Sequence, residues 1–384
     1  MNKFFMENKG ILVLTPFFSP NMGGVETHLD DLVLALDKRN YRVFVQTYSP
    51  ITTENVSWKS FEKMGGSVEI TRYRWFGKRI FHKVEKFPMF DFLYITPYLF
   101  LRTFFWLFFN AKKIDVIHAQ GFNAAWMGTI FKKIFRKKLI VSTHAIYEID
   151  QNSGTAKRIV SILRKADRVL CLSKGSYNEL LSFGMEAENL DLFKYWINLE
   201  IFKPLDKVAF RKELGIEEKF TVLFVGRLIE KKGVRVLSAV AEKLSEVNFV
   251  FVGVGPEEGF LKEKAKEHLN IKFVGAVKNT ELFRYYNLAD IFCIPSQYEE
   301  GFGRVVMEAV ACDLPVVGAK KGGIPEALDE TVSVLVDPTA ENLKSSIEEL
   351  YQNQEKYQKL KNNCRVYAEK NFSEKNVGII TKHY

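Results

Sequence analysis

Short apolar runs that only a sheet covered on both faces can bury recur along this chain, each followed by a stretch with helical periodicity. Gly10–Pro16 (GILVLTP) is the first. A run that is apolar at consecutive positions has no face to offer to water, so it reads as a buried parallel strand. A loop, FFSPNMGG, leads into a helix over Val25–Lys38, where Leu29, Leu32, Val33 and Leu36 recur at spacings of three and four on one face. Tyr41–Thr47 (YRVFVQT) is the next run. Strand, helix and strand at this spacing make a βαβ unit.

Units of this kind continue. Val68–Arg72, Val116–His118, Leu139–Ser142, Arg168–Leu172 and Asn189–Phe193 read as strands, with helices over Ala124–Phe135 and Lys174–Phe183. A second series begins after Pro204. Its strands are Thr221–Val225, Asn248–Val252, Lys272–Val274, Ile291–Ile294 and Pro315–Gly318. Helices over Val234–Leu244, Glu281–Asn287 and Gly303–Ala311 fall between them. The linker falls near Asn198–Lys207. The 384 residues suit two domains at about 150 residues each. The expected class is α/β: two doubly wound Rossmann-like domains facing each other across a cleft.

Composition removes several alternatives. With 47% hydrophobic and 26% charged residues the chain is globular rather than disordered. Cys171, Cys293, Cys312 and Cys364 have neither C-x-x-C nor zinc spacing, so they read as buried, reduced thiols, which favours a reducing cytosolic site. The start, MNKFFMENKG, is too polar for a secretory signal. Charge is lopsided. Residues 1–200 hold 28 Lys+Arg against 19 Asp+Glu, whereas residues 201–384 hold 27 of each. The first half is therefore suited to something anionic. No RRM, KH, zinc-finger or helix-turn-helix signature accompanies the charge, so nucleic acid is not the expected partner.

Phe87–Asn110 (FPMFDFLYITPYLFLRTFFWLFFN) is the most apolar segment. Its longest uncharged stretch, Phe92–Leu101, is ten residues, and a membrane span needs about 20. Thr96-Pro97 reads as an N-cap and first helical position. The helix from there is apolar on nearly every side. It is either an internal helix or an in-plane membrane contact flanked by Lys78, Arg79, Lys83 and Lys86.

The residues that carry chemistry cluster in the second half. Ser296–Ala311 reads SQYEEGFGRVVMEAVA. Gly301 and Gly303 delay the helix, which starts near Arg304 and carries Glu308 in its second turn. The free N–H groups at its start face the loop that holds Glu300, and together they form an anion site. Two carboxylates can accept from vicinal hydroxyls while amides hold phosphate, which describes a nucleotide sugar. Gly226–Gly233 (GRLIEKKG) follows the strand FTVLFV and places Arg227 and Lys232 at a strand's carboxyl end, where they suit a diphosphate. Gly322–Glu326 (GGIPE) is a tight turn at another strand end, and Phe251–Gly259 (FVGVGPEEG) is a further glycine-rich turn. In the first half, Gly23 and Gly24 of NMGGVE open a helix and let a phosphate or sugar approach backbone N–H groups. His118 and His144 end strands. His144, at a strand tip after Thr143, is the better placed to touch substrate.

Taken together, NMGGVE, DVIHAQ, STHA, GRLIEKKG, LADIFCIPSQYEEGFGRVVMEAVACDLPVVG and GGIPEAL resemble the GT-B glycosyltransferases of family GT4. The resemblance covers nearly the whole chain. NFSEKNVGIITKHY resembles the family's terminal helix, which returns to the first domain. It implies an acceptor-binding domain over 1–200 with a crossing helix near 371–384, and a nucleotide-sugar domain over 201–370. It implies that Glu308 holds ribose hydroxyls and that Glu300, Gly301, Phe302 and Gly303 meet the transferred sugar. It further implies that Arg227 and Lys232 clamp the diphosphate, that Gly23 and Gly24 approach the phosphates, and that Ala276 and Val277 join the donor set. His144 is implied beside the reacting sugar, and His118 and Glu26 on the acceptor. The implied reaction is retaining and needs no metal or other cofactor. The chain contains no D-x-D.

Three positions depart from the family pattern. Gln120 stands where a second His is frequent, Cys312 where Gly is usual, and Tyr195–Asn198 (YWIN) where Asn-Gly-Val-Asp is common. The expected partners are a UDP- or GDP-sugar, a lipid-linked or polysaccharide-precursor acceptor, and an anionic membrane surface on the cytoplasmic side. A nucleotide-sugar epimerase and a non-catalytic nucleotide-binding module are the competing readings. A dinucleotide oxidoreductase would need G-x-G-x-x-G where this chain has PFFSPNMGG.

Overall fold

The computed structural model describes residues 8–53, 56–75, 88–144 and 146–384. The chain forms two compact units. One comprises the described residues up to Lys194 together with Glu374–Tyr384, and the other is Tyr195–Ser373. The boundary thus lies upstream of the expected linker. Trp196 and Ile197 are buried in the second unit, where the Ile197 N–H donates to Phe372 O and Arg304 Nη1 donates to Trp196 O.

The first unit holds eight strands: β1 (Gly10–Leu14), β2 (Arg42–Tyr48), β3 (Phe61–Met64), β4 (Val68–Tyr73), β5 (Val116–Gln120), β6 (Lys138–Thr143), β7 (Arg168–Cys171) and β8 (Leu190–Leu192). Their order is β3-β4-β2-β1-β5-β6-β7-β8. All pairings are parallel except that of the edge strand β3 with β4. β3 is not among the strands expected from sequence, because its alternation is exposed and partly polar. The interior strands β1 and β5 are buried at every position; β1 is apolar throughout and reads as an unbroken run, whereas β5 buries the polar His118 and Gln120 among its apolar residues.

The second unit holds β9 (Thr221–Val225), β10 (Asn248–Val252), β11 (Ile271–Gly275), β12 (Ile291–Ile294), β13 (Val316–Ala319) and β14 (Ser333–Val336). The order is β11-β10-β9-β12-β13-β14, all parallel. The chain winds outward from β9 in one direction and from β12 in the other. The loops after β9 and β12 therefore part at a topological switch point, where open α/β sheets bind ligands. The same switch lies between β1 and β5 in the first unit.

Three helices shape the first unit's strand-end loops and its surface: α1 (Gly24–Asp37), α2 (Pro88–Asn110) and α3 (Gly121–Phe135). The sequence predicts a helix start at Thr96-Pro97. The structure instead runs α2 straight through Pro97. Thr96 is fully buried inside the helix and caps nothing. A proline in a helix interior breaks the backbone ladder and costs about 3 kcal/mol or more. Here Tyr48 offsets part of that cost. Its hydroxyl accepts from Leu99 N–H at 2.7 Å and donates to Ile95 O at 2.7 Å, inserting itself into the opened turn. Tyr48→Phe leaves both groups buried without a partner. Urea unfolding is expected to show a loss of about 1–3 kcal/mol, and unchanged stability would mean that the turn closes by itself.

The four cysteines are buried and unbridged, as expected. Burial raises the Cys171 thiol to about 12 and raises the other three further.

Candidate active site

In the second unit the site is built on loops at the carboxyl ends of the strands. The loop after β9 carries Arg227, which is exposed, and Lys232, which is nearly buried. The loop after β12 carries Ser296, Tyr298, Glu300, Gly301, Phe302 and Gly303. It leads into the helix Arg304–Ala311, whose second turn holds Glu308. Gly303, the N-cap, has φ 66°, a left-handed conformation that glycine adopts at little cost. Phe302 is buried and meets Tyr195 edge-on at 6.4 Å.

Backbone contacts hold the loops in register. Gln297 N–H donates to Lys231 O at 2.7 Å, joining the loop after β12 to the loop after β9. Gly323 N–H, after β13, donates to Glu300 O at 2.7 Å. A Cβ on Gly323 would lie 1.9 Å from Gly301 O, so no side chain fits there. This is what the GGIPE turn does: it presses its backbone against the turn carrying Glu300. The glycine-rich turn after β10 behaves similarly, since a Cβ on Gly253 would lie 1.8 Å from Gly226 O.

The side chains form two buried knots. In the first, Lys232 Nζ lies 2.5 Å from Glu300 Oε1. Ser296 Oγ donates to the same oxygen at 2.5 Å, and Tyr298 Oη donates to Glu300 Oε2 at 3.1 Å. Lys232 also sits 5.3 Å from the centre of the Tyr298 ring. Burial works against the charge on Lys232, but Glu300 and Tyr298 outweigh it and hold its pKa above the ordinary value. The sequence assigns Lys232 to a diphosphate and Glu300 to a sugar. The structure joins them as one ion pair. A donor entering this site meets a cation already neutralised by a carboxylate, and it must share or replace that contact.

In the second knot, Glu308 receives Tyr286 Oη at 2.9 Å and Arg304 Nε at 3.1 Å. All three are buried. Arg304 is the i,i+4 partner of Glu308, a spacing legible in sequence. Tyr286 comes from the preceding helix, Leu282–Leu288, and no local pattern points to it. Ala276 and Val277 follow β11, at the same edge of this sheet and beyond β10.

In the first unit the strand ends bring together His118, Gln120, Ser142 and His144. β5 and β6 pair Gln120 with Ser142, and His118 and Gln120 share one face of β5. His144 Nε2 donates to Gln120 Oε1 at 2.8 Å, so the departure from the family pattern at Gln120 is a direct partner of His144. His144 also packs near His28, with ring centres 6.0 Å apart, a neighbour that no sequence motif singles out. Burial lowers the His144 pKa to about 4, so its imidazole is neutral at pH 7.

His118 requires a correction. It has no accessible surface. Its Nδ1 bonds Tyr384 Oη at 2.6 Å and its Nε2 bonds Ser142 Oγ at 2.8 Å. Burial, with His144 adding to it, lowers its pKa to about 3. Both nitrogens are engaged inside the unit, so an acceptor has no atom of His118 to bind here. Its place is in the core, joining β5 to β6 and to Tyr384.

Gly23 and Gly24 open α1 as expected, with Gly23 as the N-cap. Asn21, buried, pins this loop: its Oδ1 accepts from Ile51 N–H and Thr52 N–H, each at 2.9 Å. Glu26 folds back over the turn, and a Cβ on Gly23 would lie 2.3 Å from Glu26 Oε2. A carboxylate is favourable at a helix N-terminus. In this conformation Glu26 covers the turn that the sequence offers to a phosphate.

Residues 22–200 match the family described as Glycosyltransferase Family 4, and residues 206–367 match Glycosyl transferases group 1. The chain is a GT-B glycosyltransferase of GT4 type. The glycosyltransferase is 24% identical over 350 residues to a phosphatidylinositol N-acetylglucosaminyltransferase chain of Homo sapiens, covering 88% of this chain and 67% of the relative. It is 32% identical to a sulfoquinovosyl transferase of Arabidopsis thaliana over 231 residues, 57% of this chain and 45% of that one. The Anabaena protein HepE, solved with UDP and glucose, shares the fold with a TM-score of 0.75 at 22% identity, over 97% of this chain and 98% of its own.

Proposed function

We propose that this glycosyltransferase moves a hexose or N-acetylhexosamine from a UDP- or GDP-sugar to a lipid-linked or polysaccharide-precursor acceptor. We place it at the cytoplasmic face of a membrane, and the transfer retains the anomeric configuration. The observation that carries the donor reading is the pair of knots in one unit: Lys232–Glu300 on the loops after β9 and β12, and Tyr286–Glu308–Arg304 on the helices that flank β12 and its loop. Carboxylates held by internal donors keep lone pairs oriented for sugar hydroxyls. The names of the human and Arabidopsis relatives, one a phosphatidylinositol-directed transferase, support a lipid-linked acceptor.

The proposed chemistry follows from the charges. As the sugar leaves, electrons gather on the β-phosphate. Arg227, Lys232 and the N–H groups that begin the helix at Arg304 are the groups available to stabilise that charge. The departing phosphate takes the acceptor's proton as the new bond forms on the same face. On this reading no metal is needed. His144, neutral and with its Nε2–H given to Gln120 Oε1, offers the reacting sugar an accepting Nδ1 rather than a charge.

A thermal-shift panel of UDP, GDP, ADP and their common sugars tests the donor reading. A ligand at about 100-fold over its dissociation constant adds roughly 2.7 kcal/mol. One nucleotide is expected to stabilise the protein selectively, and Glu308→Ala is expected to lose that gain. No stabilisation by any of them would favour the non-catalytic reading. Consumption of the donor sugar without any acceptor would favour the epimerase.

A further inference from the structure

We propose that the outward face of α2 docks the first unit on an anionic lipid bilayer, with the helix lying in the plane of the headgroup–acyl boundary. This deepens the membrane-surface reading above and depends on it, but it is independent of the donor chemistry. The helix has two apolar faces. Ile95, Leu99 and Leu107 are buried against the core of the unit. Phe90, Leu93, Leu101, Phe105, Phe108 and Phe109 are 52–80% exposed. With exposed Pro97, those from Phe90 to Phe108 recur every three or four residues and form one continuous stripe, which Phe109 widens at its end. From Phe90 to Phe109 it runs about 28 Å at 1.5 Å per residue. A soluble surface rarely strings apolar side chains over such a length without a partner.

The region Phe90–Lys113 is long and apolar enough to cross a membrane by length and composition. Its inner face argues for lying flat instead. Phe100 stacks on Phe131 at 5.2 Å, Phe104 meets Phe135 at 5.7 Å, and Tyr48 is hydrogen-bonded into the helix. A crossing helix would have to abandon all of these contacts.

Charge identifies the partner. Contacts of Phe92 with Trp126, Phe100 with Phe131 and Phe104 with Phe135 rise in step, so α2 and α3 run side by side in the same direction. Their ends therefore bring exposed Lys112 and Lys113 together with exposed Lys133, Arg136 and Lys138. Cations beside a half-immersed apolar helix are what an anionic headgroup layer selects. Lys78, Arg79, Lys83 and Lys86, which the sequence places on this contact, lie outside the described residues.

The test is co-sedimentation of the full chain with phosphatidylcholine vesicles, with and without phosphatidylglycerol. The expected result is binding that needs phosphatidylglycerol and weakens with salt. Phe105→Asp with Phe108→Asp should lower binding at least about tenfold, and Lys133→Glu with Arg136→Glu about fivefold or more, on the anionic vesicles only. Both double variants should keep the wild-type circular dichroism and nucleotide thermal shift, because the altered side chains are exposed. Wild-type binding by the aspartate variant at low salt would overturn the proposal. So would a wild-type dimer that the aspartate variant dissolves, since a second copy would then cover the stripe. Failure of the donor reading would look different: vesicle binding intact and no nucleotide shift.

Discussion

Lys232→Met is expected to lose both transfer and stability, for two separable reasons. Removing the cation strips charge stabilisation from the leaving diphosphate, and the loss of one preorganised donor of this kind costs about 10²–10³ in turnover. It also strands Glu300, whose side chain is only 7% exposed. Breaking a buried pair by removing one partner costs about 3–5 kcal/mol, mostly from the carboxylate left behind. Glu300→Gln added to Lys232→Met should recover most of the stability and none of the activity. Arg227→Ala makes the contrast: its side chain is exposed, so it should lower donor affinity or turnover with little change in unfolding. Donor turnover beside urea unfolding of the four proteins decides the matter. Full transfer by Lys232→Met would remove Lys232 from the diphosphate.

Stability should fall steeply on mild acidification. His118 and His144 are held neutral in the fold, with pKa values lowered from 6.5 to about 3 and about 4. In the unfolded chain both titrate near their ordinary value. Below about pH 6.5 the unfolded state binds two protons that the fold refuses. The stability is therefore complete above that pH and drains away as pH falls toward the folded values. The slope reaches about 1.4 kcal/mol per pH unit for each histidine, or about 3–4 kcal/mol from the pair between pH 7 and 5. His383, also lowered, chiefly by burial, acts in the same direction. Urea unfolding at pH 7, 6 and 5 measures this. His118→Asn, which can still bond Tyr384 and Ser142, should roughly halve the slope. A flat profile from pH 7 to 5 would mean that the ring nitrogens accept protons in place.

The sequence was informative where physics is local. Strands buried on both faces are mostly apolar, so β1, β9 and β12 were visible as runs, and β5 was visible only through its first residues because His118 and Gln120 are buried with partners of their own. The turn Glu300–Gly303 and the helix after it were visible because glycine placement and helix capping act within a few residues. The Arg304–Glu308 pair was also within reach, at one helical turn. The strand β3 was not, because a half-exposed edge strand has no such compositional mark. Pro97 misled for the same reason that local rules succeed elsewhere: in an isolated helix it does mark a start. The hydroxyl that lets α2 continue comes from Tyr48, on another element.

The candidate site divides in the same way. The sequence by itself determined the two sheets of mostly parallel strands, the placing of Arg227, Lys232 and Glu300 on strand-end loops and that of Glu308 in the helix that follows, because spacing alone controls which end of a strand a residue reaches. Only the tertiary structure decided which side chains meet. It joined Lys232 to Glu300 across 68 residues and Tyr384 to His118 across 266, and it withdrew His118 from the acceptor. It also turned one face of α2 inward and left the other in the open. Such pairings depend on how packed loops and helices approach one another, and no periodicity along the chain records that approach.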